Sequence, residues 1–291
     1  MKITRLKANH LTAPVGNNLD DLSLSWTVEG STAPRQKSAR IEIALDRAFR
    51  KTVFDSGVRV DIDSLAFSPG LALEPRTRYF WRVAVVTSKN EKASAVSTFE
   101  TGKMDEPWAA KWITSPDAGD DVHFYLRKTF AVDSVADARV YCAALGVYEI
   151  EVNGVPATDE VLLPGYHSYT NQIHAQAFDI ARLLKKGENT IGLHVGTGWY
   201  RSSLGWGTSG PFGKTIGALC EVRARGALLA QSDASWQCAP SPVVKSDIYY
   251  GEDYDARREI AGWSTPACAA GVWTVAREFT PEAGAAGPVR D

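Results

Sequence analysis

The feature that most constrains this chain is a period of two. In Leu73-x-Pro75-x-Thr77-x-Tyr79-x-Trp81-x-Val83, continuing to Val86, large side chains recur at every second position. That spacing sends one row of side chains to a core and the other toward water only if the backbone is a pleated strand. Ser23-Leu24-Ser25-Trp26-Thr27-Val28 and Ala39-Arg40-Ile41-Glu42-Ile43-Ala44 repeat the pattern. Turn residues at Asn17-Asn18, Glu29-Gly30, Ser68-Pro69-Gly70 and Glu74-Pro75 separate these runs. Residues 1–102 therefore read as about seven short strands, the strand count of a two-sheet sandwich.

The polar stretch 103–107 breaks the pattern and reads as a linker, since 291 residues suit two cores better than one. Beyond it, Tyr148-Glu149-Ile150-Glu151-Val152 alternates and then meets Asn153-Gly154, a strong hairpin signal because both residues tolerate positive φ. Asn189 to Val195 reads as a further strand. One piece reads as helical: Phe178 to Gly187, with Asp179 as cap, two late lysines and a terminal glycine, enough for one or two turns. Nine tryptophans and ten tyrosines among 24 glycines and 14 prolines also suit strands and tight turns. The expected fold class is all-β, two β-sandwich domains in tandem: 1–102, then 108–283, with 284–291 as a tail.

A formal net charge of −2 supplies no field that would gather nucleic acid or an anionic membrane, so neither is expected as a partner. The opening Met1 to Leu6 has no apolar stretch of signal-peptide type behind it, and no later run has bilayer length. A cytoplasmic location is expected. Cys142, Cys220, Cys238 and Cys268 lie far apart, without a CxxC, and read as free thiols. Gly205 to Gly210 matches G-x-G-x-x-G by letters alone, because Pro211 follows where a helix should start. His167 and His174 are spaced too widely for a helical pair of zinc ligands.

Two resemblances add to this reading. Trp26, the alternation through Tyr79 and Trp81, and Ser97-x-Phe99-x-Thr101 resemble a fibronectin type III domain of the immunoglobulin-like class, in which Trp26 and Tyr79 would anchor the core. In the second segment, Val152-Asn153-Gly154, Gly165-Tyr166, Phe178-Asp179-Ile180 and Leu184-x-x-Gly187-x-Asn189 resemble a galactose-binding-like jelly roll. Gly196-Thr197-Gly198-Trp199-Tyr200-Arg201, Tyr249 to Arg257, Gly262-Trp263 and Trp273 narrow it to the N-terminal domain of bacterial α-L-rhamnosidases. That resemblance implies a non-catalytic front region whose partners are a catalytic α/α barrel of the same parent chain and a rhamnose-containing carbohydrate. The family's two catalytic carboxylates have no counterpart here, and no barrel-type helical repeat precedes Asp291. A stand-alone carbohydrate-binding module and a sugar-indifferent scaffold are the alternatives.

The candidate contact residues fall in two stretches. Trp199, Tyr200, Arg201 and Trp206 sit in a glycine-rich loop where aromatic faces can stack on sugar rings and arginine can bond hydroxyls, or pack against another domain. Tyr250, Glu252, Asp253, Asp255 and Arg257 form the densest acidic cluster. As a strand, it would place Asp253 and Asp255 on one face and Glu252 on the other, with Asp255 pairing to Arg257 within the sheet rather than making a facing pair for hydrolysis. No cofactor is expected, with a structural calcium on these acidic residues left open.

Overall fold

In a computed structural model of the chain, residues 1–117, 123–204, 210–268, 271–282, 284 and 286–291 are described. The chain divides into two compact units, Met1–Glu106 and Pro107–Asp291.

The first unit is a sandwich. Strands β1 (Lys2–Ala8) and β3 (Leu24–Glu29) make one small antiparallel sheet. The other runs in the order β2 (Val15–Asn17), β7 (Lys92–Thr101), β6 (Arg78–Thr87), β4 (Gln36–Ala44) and β5 (Thr52–Asp55). The period-two alternation is realised on β6, where Tyr79, Trp81, Val83 and Val85 are buried and the residues between them are not. Trp26 meets them from β3, and Tyr79 stacks on Phe99 at 5.0 Å. The Tyr79 hydroxyl accepts a hydrogen bond from the Glu74 amide at 2.8 Å, so a buried ring keeps its polar end paired while tying down the turn that precedes the strand.

The second unit packs two larger sheets face to face. One orders β14 (Gln176–Asp179), β10 (Ala138–Leu145), β16 (Gly217–Ala224), β8 (Ile113–Thr114) and β22 (Arg277–Glu278), with β17 (Ala227–Gln231) also paired to β16. The other orders β12 (Val155–Pro156), β11 (Val147–Val152), β15 (Gly187–Gly196), β9 (Phe124–Val132), β18 (Gln237–Pro240) and β21 (Thr274–Val275). Phe124, Leu126, Ile150, Leu193, Val140 and Trp236 are among the side chains sealed between them. Burial on this scale stabilises each large side chain by about 1.5–3 kcal/mol. Asn153 and Gly154 take φ of 54° and 83° and join β11 to β12 as a two-residue turn, which is why that dipeptide is there.

The helix expected over Phe178 to Gly187 does not form. β14 runs to Asp179, and a single turn follows, in which Ile180 O accepts from the amides of Leu183 and Leu184. Ile180 and Leu184 bury the turn, and the Asn189 side chain satisfies the backbone of Lys185 and Gly187 that a longer helix would have used. So few residues would gain little from helical propagation over the cost of its nucleus. The last residues return to the body of this unit: β23 (Val289–Arg290) runs parallel to β13 (Ile173–His174), and the Gly287 amide donates to Tyr169 O at 2.7 Å. Among the described residues, no helix is long and apolar enough to cross a membrane.

Candidate functional site

Where β15 ends, β9 and β11 begin, and the chain departs from simple strands. Gly196 lies against His123, and a Cβ there would come within 2.8 Å of the imidazole Nδ1. Gly198 has φ of +48°, and a Cβ on it would sit 2.4 Å from a Val147 methyl. These two glycines let the chain turn closely under β11 into the short helix α1 (Gly198–Arg201). Opposite stands the hairpin β19 (Val243–Asp247) and β20 (Gly251–Tyr254). Between them opens a cleft of about 350 Å³, whose lining includes His123, Glu149, Leu162, His194, Asp247 and Glu252. That volume is at the lower end of what small-molecule sites enclose, roughly 300–1,000 Å³.

The polar groups of the cleft are mostly committed to one another. Glu149 and His194 are cross-strand partners, with Oε2 to Nδ1 at 3.6 Å, and the imidazole holds the Glu149 carboxyl below its ordinary value. Burial pushes the His123 imidazole down to about 4, helped by the charges of His194 and Arg201, and its Nε2 meets Ser246 Oγ at 3.2 Å. Burial favours protonation of Asp247, but the amides of Ser203, Tyr249 and Tyr250 outweigh it and keep its carboxyl low. Asp247 thus pins the hairpin turn to the end of α1.

Beside the cleft, the same outward face of the sheet formed by β11, β15 and β9 is roofed by the segment around Trp263. Its ring stacks on Tyr125 at 4.2 Å and closes over Gly192, where a Cβ would lie 2.3 Å from it. Arg127 donates to Trp263 O at 3.1 Å and lies over the Trp273 ring at 4.8 Å. The two tryptophans that flag the segment in the sequence are therefore its attachment points.

The candidate residues separate on inspection. Tyr200 is a core residue on α1, edge-on to Tyr169 at 5.2 Å and seated over Gly213, and burial raises its hydroxyl to about 12. Trp199 is half-buried and meets exposed Tyr166 edge-on at 6.1 Å. Arg201 is also half-buried and closes α1. Trp206 lies outside the described residues. Tyr250 and Asp253 are exposed on the hairpin, and Glu252 reaches the cleft.

Asp255 corrects the strand expectation. β20 stops at Tyr254, and Asp255 caps a 3₁₀ turn, Ala256–Arg258, by accepting from the Arg257 amide at 3.1 Å. Aspartate's short carboxylate competes for nearby amides and so ends a strand rather than extending it. Its pairing to Arg257 exists, at 2.8 Å, but on an exposed turn where such pairs contribute little. His123, Glu149, His194 and Asp247 escaped the sequence reading. The alternation of β11 does place Glu149 outward, but nothing in the letters pairs it with His194. Among the described residues, no group of three or more His, Cys, Asp or Glu is placed to hold a metal ion.

Comparison with known proteins identifies both units. Residues 133–288 match the alpha-L-rhamnosidase N-terminal domain, and residues 3–105 match the Rha78A-like, N-terminal immunoglobulin domain. An α-L-rhamnosidase of Formosa agariphila is 34% identical over 220 residues, 67% of this chain and 23% of that protein. The crystal structure of the α-L-rhamnosidase from Aspergillus terreus superposes with a TM-score of 0.85 at 28% identity, over 96% of this chain and 34% of its own. The Streptomyces avermitilis enzyme complexed with L-rhamnose shares the fold, with a TM-score of 0.87 at 19% identity over 99% of this chain and 46% of its own. The chain thus spans between about a quarter and a half of the length of these three proteins. It belongs to the α-L-rhamnosidase family, as that family's N-terminal domain preceded by its immunoglobulin-like domain.

Proposed function

We propose that this chain is the non-catalytic front region of an α-L-rhamnosidase, a glycoside hydrolase acting on terminal α-L-rhamnosides, and that it supports the catalytic domain beside the substrate entrance. The observation that carries this reading is the lopsided coverage: nearly all of this chain aligns with about a third of the Aspergillus terreus enzyme. The cleft electrostatics support it. A glycosidase needs one carboxylic acid whose pKa is raised so that it keeps its proton near neutral pH, whereas two of the three carboxylates lining the cleft, Glu149 and Asp247, are shifted the opposite way. Exposed Tyr250 and Glu252 are the residues we assign to contact with sugar or with the catalytic domain.

A stand-alone carbohydrate-binding module is the second reading, favoured by the cleft and by the exposed Tyr249 and Tyr250 on the hairpin turn beside it. Titration of the purified chain with L-rhamnose, followed by tryptophan fluorescence and calorimetry, separates the two. The supporting role predicts no saturable binding at millimolar sugar. Saturable binding below that, lost on Trp206→Ala, supports the module instead.

A further inference from the structure

Cysteines 142 and 220, 78 positions apart in sequence, end directly opposite one another on β10 and β16, with their sulfurs 3.3 Å apart. Both are sealed in the core between the two sheets. The backbone shows which kind of opposed pair they are. The Cys220 amide donates to Ser232 Oγ and its carbonyl accepts from the Ser232 amide. Both backbone groups therefore point away from β10, and the two cysteines occupy a non-hydrogen-bonded pair of the ladder. Cα atoms at such a pair lie about 4.5 Å apart, with side chains closer than at the alternate pairs. That separation falls inside the range a disulfide spans, roughly 4.4–6.8 Å, at its short end. Bringing the sulfurs from 3.3 Å to bonding distance, about 2.05 Å, moves each by roughly 0.6 Å. Cys238 lies elsewhere, against the Thr274 hydroxyl.

We propose that Cys142 and Cys220 are an oxidative modification site, a pair that closes a cross-strand disulfide during folding in an oxidising medium. In closing, the two thiols lose two protons and two electrons and one S–S bond forms. The electrons pass to a low-molecular-weight disulfide such as oxidised glutathione, whose own S–S bond breaks to give two thiols. The step belongs to folding because the native pair is sealed: exchange needs a thiolate, and burial, then the contact with Cys142, drives the Cys220 thiol well above its ordinary range. Once closed, the bond is shielded by the same core, and it staples β10 to β16 across the 78 residues that separate the two cysteines.

The test refolds the full chain from denaturant twice, in a glutathione redox mixture and in excess reductant, then alkylates free thiols and maps the peptides. Oxidative refolding should leave two of the four cysteines unalkylated, with 142 and 220 in one cross-linked pair. The oxidised form should melt higher, by on the order of 10 °C for a closed loop of this length. Folded, reduced chain soaked in oxidised glutathione should stay reduced over hours. Four alkylated cysteines after oxidative refolding, a bond to Cys238 or Cys268 instead, or rapid oxidation of the native form would each overturn the proposal. Cys220→Ala should abolish the difference in melting between the two refolded forms, and where that variant does not fold, the peptide map of the natural sequence decides alone.

Discussion

Gly198→Ala perturbs the turn on which the cleft depends. Two costs add at this position. Its φ of +48° lies in the left-handed region, where an L side chain costs roughly 1–2 kcal/mol. The new methyl would also lie 2.4 Å from the Val147 side chain and 2.9 Å from the Val147 amide nitrogen, and only the first of these can swing away. Overpacking of that kind costs about 1–3 kcal/mol. Together they reach roughly 2–5 kcal/mol, which for a unit of this size lowers the melting temperature by on the order of 10 °C. Differential scanning calorimetry of the variant reads the shift. Gly226→Ala is the control, since φ there is +80° and nothing lies within 4 Å of the added methyl, so only the backbone cost applies. Adding Val147→Ala to Gly198→Ala should recover part of the loss, because it removes the side-chain clash and leaves the amide in place. If Gly198→Ala melts no lower than Gly226→Ala, the account of close packing beneath the cleft is wrong.

Other consequences follow from single groups. His123 and His167 are each held at about 4 by burial, and then by His194 and His174 respectively, against about 6.5 in an unfolded chain. The unfolded chain therefore takes up these protons first, so their stability contribution is complete above pH 6.5 and is lost as pH falls toward 4. Melting temperature should decline across that window, and a flat profile from pH 7 to about 4.5 contradicts it. Asp247→Ala removes the acceptor of three amides, costs about 2 kcal/mol, and should speed hydrogen exchange at Tyr249 and Tyr250; unchanged protection would show the hairpin is held by something else. Tyr79→Phe frees the Glu74 amide and should lower the urea midpoint of the first unit by an amount worth about 1 kcal/mol.

What the sequence shows and what it hides follow from the range of the interactions. Alternation is local, so the strand of Tyr79, Trp81 and Val83 and the turn at Asn153-Gly154 are legible by eye. The jelly roll carries enough spaced glycines and tryptophans to be recognised as the family domain. The segment after Phe178 misleads because its local letters favour a helix, while Asn189, outside the segment, supplies the competing hydrogen bonds. Asp255 misleads for the opposite reason: a single cap decides it, and strand spacing has no mark for one. The cleft is invisible because its parts are remote in sequence. His123, Glu149, His194 and Asp247 meet only through register across three strands and a hairpin. The facing of Cys142 and Cys220 is hidden in the same way.

We propose above that this region belongs to a rhamnoside hydrolase without performing the hydrolysis. The most direct measurement is release of the aryl group from an aryl α-L-rhamnoside by the purified chain, over the pH range in which it is folded. Release indistinguishable from a protein-free blank is expected. Release above the blank that disappears on Glu149→Gln or Glu252→Gln would contradict it, and would make the cleft a catalytic site.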